Sequence, residues 1–245
     1  MADNSFSNKR SIILVDFRTS VDIINELRMC GYKIILTRPL KSVYEGLSGH
    51  ADMQLCSLGN KYVCEPSLYE YYGSFIKKSA LIKGKKGISE KYPDDISYNA
   101  CITNKYAFHS FKYTDTEILN NISDNVKKID VRQGYSKCSI CVVNDSALIT
   151  SDESIYKKAI ENKLDALKIK SGYIKLKSFD YGFIGGSTGL IEDNILAVAG
   201  TLKLHPNYAD IKTFCKNYNV DILELDNEQA EDIGSIIKIQ SNSVK

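Results

Sequence analysis

The chain repeats itself, and this constrains its fold more than any other property of the sequence. Five segments carry the apolar periodicity of amphipathic helices of about 11 residues: Ser20–Cys30, Ser67–Lys77, Thr114–Asn125, Asp152–Lys163 and Asn207–Asn217. Ser67 with Glu70, and Thr114 with Glu117, have the spacing of capping boxes, and Gly31 stands as a stop after the first segment. A short apolar segment of strand character follows each helix: Tyr32–Thr37, Ser79–Lys83, Val126–Val131, Asp165–Ile169 and Val220–Leu225. After a loop comes a hairpin with a polar tip. The hairpins are Gln54–Leu58 with Tyr62–Cys64, Ala100–Ile102 with Tyr106–Phe108, Ser139–Val143 with Ala147–Thr150, and Gly189–Ile191 with Ile195–Ala199. Asn or Asp stands at each tip, as a tight reversal between strands requires.

The fifth unit has only half its hairpin, Ser235–Ile239, while an unpartnered strand, Ser11–Phe17, precedes the first helix. Pairing these two removes both exposed sheet edges. The expected fold is α/β: a five-bladed α/β propeller of helix-plus-small-sheet repeats, closed by the N-terminal strand and forming one domain over residues 1–245.

Composition excludes several classes of function. Lys and Arg number 32 against 30 Asp and Glu, so the net charge of +2 offers no global attraction to nucleic acid or a membrane surface. No apolar run approaches about 18 residues, and the opening Met1–Arg10 segment is polar. The seven cysteines are scattered, mostly within apolar runs, as reduced thiols are. The expectation is a cytoplasmic protein with no cofactor or metal, whose partner is a small, cationic molecule; nothing indicates an oligomer.

In a closed ring the loops between post-helix strand and hairpin gather at one end, where a pocket can form. These loops are Arg38–Asp52, Gly84–Tyr98, Arg132–Lys137, Ser171–Thr188 and Asp226–Gly234. The first ends in Gly49-His50-Ala51-Asp52, where an imidazole that titrates near neutrality has a carboxylate two residues away. The second carries Asp94 and Asp95 before Asn99; the adjacent carboxylates suit a guanidinium or a turn, and at most one of them faces inward. The third brings Gln133, Lys137 and Cys138, and the lysine's charge would favour a nucleophilic thiolate at the start of the following strand. Cys138 and Cys141 form a Cys-x-x-Cys, but no second pair exists for tetrahedral zinc. Gly185 and Gly186 serve either a tight bend or backbone donors to an oxyanion, and Asp232 and Ser235 complete the fifth loop. His109 and His205 read as structural.

The segments Gly49–Leu55, Tyr92–Asn99 and Gln133–Cys138, set in a fivefold repeat, resemble the guanidino-group modifying enzyme superfamily, or penteins, in an uncharacterised bacterial branch. That superfamily includes arginine and agmatine deiminases, dimethylarginine hydrolase, amidinotransferases and a non-catalytic ribosome anti-association factor. The resemblance implies attack of a cysteine thiolate on a guanidinium carbon, a histidine acid/base and carboxylates that hold the cation. It places the nucleophile in the last unit, where this chain has Gly234-Ser235. A covalent mechanism here therefore moves the nucleophile to Cys138, with His50 as acid/base and Asp52, Asp94 or Asp95, and Asp232 on the cation. Two other readings stand beside it: a non-catalytic protein that binds a metabolite or macromolecule, and a divalent metal held by His50, Asp52 and other carboxylates.

Overall fold

The computed structural model describes residues 11–245, so the polar opening segment lies outside the described residues. The chain forms β1 (Ile12–Val15), α1 (Val21–Met29), β2 (Lys33–Leu36), α2 (Ala51–Gln54), β3 (Leu55–Ser57), β4 (Tyr62–Cys64), α3 (Tyr69–Tyr72) and β5 (Leu81–Lys83). It continues through β6 (Cys101–Ile102), β7 (Tyr106–His109), α4 (Thr116–Asn121), β8 (Lys127–Asp130), α5 (Ser136–Ser139), β9 (Cys141–Asn144), β10 (Ala147–Thr150), α6 (Glu153–Glu161) and β11 (Asp165–Lys168). The last elements are β12 (Thr188–Glu192), β13 (Ile195–Val198), α7 (Tyr208–Asn217), β14 (Asp221–Glu224) and β15 (Ile237–Ile239).

These strands make five three-stranded sheets of one topology: β15-β1-β2, β3-β4-β5, β6-β7-β8, β9-β10-β11 and β12-β13-β14. In each, the middle strand pairs antiparallel with the first and parallel with the third, reached through a helix. The N-terminal strand docks on the C-terminal one, with Ile12 opposite Ile239 and Leu14 opposite Ile237. First strands of all five sheets line one cavity of about 230 Å³, through Cys56, Ile102, Val142, Gly189 and Ile237 among others.

The longer helices follow their apolar stripes. Ile23, Ile24 and Leu27 of α1, and Ile155 and Ala159 of α6, are buried. Each such Ile or Leu contributes roughly 1.5–3 kcal/mol by leaving water. Core clusters cross between sheets: Ile13 and Val15 of β1 and Leu27 of α1 share one with Ile191 of β12 and Ala197 of β13.

Two expected helices are shorter than their periodicity suggests. Ser67 does not cap the second; its own N–H donates to the Glu65 carboxylate at 2.8 Å, Pro66 opens a 3-10 turn, and α3 runs for only four residues. The α4 cap is Asp115, not Thr114, because the Thr114 hydroxyl pairs with His109 Nδ1 at 2.6 Å. Two helical turns were not expected, α2 and α5, and they carry Asp52 and Cys138.

His109 is fully buried between Thr114 and the Gly134 carbonyl, 2.9 Å from its Nε2, and burial lowers its pKa to about 4. The folded chain therefore keeps this imidazole neutral where the unfolded chain, below about pH 6.5, takes up a proton. Stability from this group is complete above pH 6.5 and is lost as pH falls toward 4, by up to about 3 kcal/mol. Urea unfolding from pH 7.5 to 4.5 should show a steeper acid loss in the parent than in His109→Gln, with equal slopes above pH 7.

Candidate functional site

Four loops, the first, third, fourth and fifth, converge on one cavity of about 300 Å³, lined by His50, Cys138 and Asp232 together with Leu47, Met53, Tyr135, Phe179, Tyr181 and Phe183. His50 precedes α2, whose Asp52 N–H donates to the Gly234 carbonyl at 3.0 Å and thereby docks the first loop on the fifth. Gly234 has φ +70°, and the Cα and Cβ of His50 pack so closely on it that no side chain fits. Asp232 accepts from the N–H of Gly234 at 3.0 Å and from that of Phe183 at 2.9 Å. Gly186 lies against the same carboxylate with no space for a Cβ.

Cys138 sits on α5 rather than at the start of a strand, held by one side chain. Asn99 Oδ1 accepts from the N–H groups of Lys137 (2.9 Å) and Cys138 (3.2 Å), and its Nδ2 donates to Cys138 Sγ at 3.2 Å. The thiol in turn donates to Asp52 Oδ2 at 3.0 Å. Nδ1 of His50 lies 3.8 Å from Oδ1 of Asp232, and a ring nitrogen of His50, a carboxylate oxygen of Asp232 and Cys138 Sγ all fall within 4.8 Å of one another. The spacing suits one small cation gripped by all three. Two buried polar atoms, His50 Nδ1 and Asp52 Oδ1, have no hydrogen-bond partner among the described residues. Such groups are costly unless a ligand meets them.

The electrostatics differ from the sequence expectation. Lys137 does not stand over the sulfur; its ammonium donates to Ser235 Oγ at 3.0 Å. Burial first, and then the charges of Asp52 and Asp232, push the Cys138 thiol well above its usual range. Burial also raises the Asp232 carboxyl, against the pull of His50. The thiol at rest is thus protonated, beside two buried carboxylates.

Other expected residues are placed elsewhere or used differently. Asp94 is exposed, whereas Asp95 is buried and accepts from the Tyr135 hydroxyl, which borders the cavity. Gln133 donates to Asp152 at 3.1 Å and accepts from the Tyr135 N–H, so it supports the loop. The oxyanion-donor idea does not suit Gly186, whose N–H bonds the Cys138 carbonyl, and Gly185 presents its carbonyl to Ser235. The metal grouping weighed from the sequence paired His50 with Asp52; the atoms that converge on His50 belong to Cys138 and Asp232 instead. Sequence reasoning overlooked the aromatic wall, although Phe179, Tyr181 and Phe183 alternate along the fourth loop and are its visible signal.

Comparison of the fold with solved structures finds pentein-fold guanidino-modifying enzymes. One is a dimethylarginine dimethylaminohydrolase adduct with 4-chloro-2-hydroxymethylpyridine (TM-score 0.53, 9% identity, 89% of this chain and 92% of that chain). Another is the inosamine-phosphate amidinotransferase of Streptomyces griseus (0.51, 11%, 87% and 75%). A third is the agmatine deiminase of C. jejuni (0.50, 10%, 92% and 89%). At these identities the likeness is one of fold. No curated protein matches the sequence. No helix among the described residues is long and apolar enough to cross a membrane. The family model that matches covers residues 14–237, and by that match the chain belongs to the family of unknown function DUF6873.

Proposed function

We propose that the five sheets close into a ring and that the chain is a hydrolase or transferase acting on a small guanidino- or amidino-bearing cation. The observation that carries this reading is the convergence of the Cys138 thiol, the His50 imidazole and the Asp232 carboxylate within 4.8 Å on the wall of one cavity. Tyr135, Phe179, Tyr181 and Phe183 border the same space, and aromatic faces attract cations. By their names, one fold neighbour acts on dimethylarginine, which bears a guanidino group, and another transfers an amidino group, both in keeping with this chemistry.

A cation bound here faces the Asp232 carboxylate, with the His50 imidazole beside it on the cavity wall. Its charge offsets the carboxylates that hold the thiol's proton, so when substrate is present that proton passes to Asp52 Oδ2 and thiolate forms. Sulfur attacks the amidinium carbon, forming the C–S bond as the carbon's π electrons move onto nitrogen. His50 gives a proton to the departing amine and the C–N bond breaks. Water or an acceptor amine then attacks the same carbon and loses a proton to His50; the C–S bond breaks and the sulfur pair is restored.

A panel of guanidino and amidino compounds tests the reading. Turnover by the parent, abolished in His50→Ala, is the expected result; binding without turnover in the parent would leave the non-catalytic alternative. Metal content and chelation address water as the nucleophile. Full activity after exhaustive chelation is expected, whereas loss restored by zinc would overturn the role given to the thiol.

A further inference from the structure

The site is joined to the cavity shared by the five first strands through an unbroken hydrogen-bonded chain. Lys137 lines that second cavity, and its Nζ donates to Ser235 Oγ at 3.0 Å. Ser235 Oγ donates to Asp52 Oδ2 at 2.6 Å, and the same oxygen accepts from Cys138 Sγ at 3.0 Å. Cys138 faces the aromatic cavity, and Lys137 does not border it. Ser235 and Asp52 are 0% and 1% exposed, so solvent does not bypass them. Ser235 holds φ +73°, a conformation that costs a non-glycine residue energy and that aims its hydroxyl between the lysine and the aspartate.

We propose that Lys137, Ser235 and Asp52 form a proton path by which the Cys138 thiol exchanges its proton with solvent in the five-strand cavity, on the side away from the substrate. The Cys138 S–H bond breaks as Asp52 Oδ2 takes the proton. Lys137 releases one proton to solvent. Asp52 then passes its proton to Ser235 Oγ while the Ser235 hydroxyl, turned toward Lys137, gives its own to Nζ. One proton has left the thiol for solvent, and thiolate, carboxylate, hydroxyl and ammonium remain. Other charged or titratable groups facing the sulfur are His50 and Asp232, with Asn99 donating to it; Tyr135 and its partner Asp95 border the same region. None of these reaches the second cavity. Asp52 serves as the first acceptor, and Ser235 and Lys137 are positioning residues that act through it.

The proposal rests on Cys138 being the reacting thiol, but its test needs no substrate. Transfer into D2O, followed by loss of the infrared S–H stretch of Cys138 as the difference from the Cys138→Ser protein, reads the rate at which the sulfur exchanges its proton with solvent. Lys137→Ala and Ser235→Ala should each slow that exchange at pH 7 about tenfold or more. Methylamine, small enough for the second cavity, should restore the rate in Lys137→Ala and fail to do so when Ser235→Ala is added. If Ser235→Ala does not fold, Ser235→Gly, which suits the positive φ, replaces it. Unchanged exchange rates in the folded single variants, or equal methylamine rescue with and without Ser235, would overturn the path. A parent whose thiol exchanges as expected yet turns over no guanidino compound defeats the proposed function alone.

Discussion

Replacing Cys138 by Ala should reduce turnover of a guanidino or amidino substrate by about 10⁴-fold or more, because among the described residues no other group on the cavity wall offers a comparable nucleophile. The Ser235 hydroxyl bonds Asp52, but it lies in the buried chain behind the sulfur and accepts from Lys137. It is absent from the cavity wall. Cys138→Ser keeps a donor to Asp52 and an acceptor for the Asn99 amide, so the fold and ligand binding should persist while the reaction stops. Intact-mass spectrometry during turnover should detect an adduct on the parent and none on either variant. A Cys138→Ala protein with parental kcat would sink the covalent scheme, and one that no longer binds ligand would show that the sulfur holds the cation rather than attacks it.

The second large effect is expected at Gly234. An Ala there meets two penalties at once: left-handed backbone, worth roughly 1–2 kcal/mol, and a Cβ driven into the Cα and Cβ of His50. Because the obstacle is backbone and the base of a side chain, relief requires the loop to move, at a further cost of about 1–3 kcal/mol. A total near 3 kcal/mol lowers Tm by roughly 6–12 °C in a chain of this size. Gly172→Ala is the control. Its φ of +92° carries the same kind of backbone strain, but nothing lies within 4 Å of the new Cβ, so it should lose only about 1 kcal/mol and no activity. Gly234→Ala should lose activity beyond its loss of stability, because the displaced residue is His50. Equal Tm shifts for the two glycines would remove the tight packing from the argument.

These residues show what was legible beforehand. The placement of His50, Cys138, Asp232 and Ser235 in equivalent loops follows from counting repeats, and the strands between them lie within a few residues of the expected segments. Their roles did not follow. Lys137 is adjacent to Cys138 in sequence, which suggested an activated thiolate; the helical turn α5 sends the lysine to Ser235 and the sulfur to Asp52. The turn was invisible because four residues carry too little periodicity to distinguish it from a strand start. Asp95 beside Asp94 shows the same limit: one is buried and the other exposed, though both belong to the same short run.

The amino-acid sequence alone determined the repeating helix and strand segments, the hairpin tips and the pairing of the first strand with the last. These follow from side-chain period and turn chemistry, which act over a few residues. Tertiary structure decided the chemistry. Cys138 meets Asp52 across 86 residues and Ser235 meets Asp52 across 183, and only folding removes these groups from water. Burial and long-range charge set the state of a thiol, and neither is a property of the residues beside it.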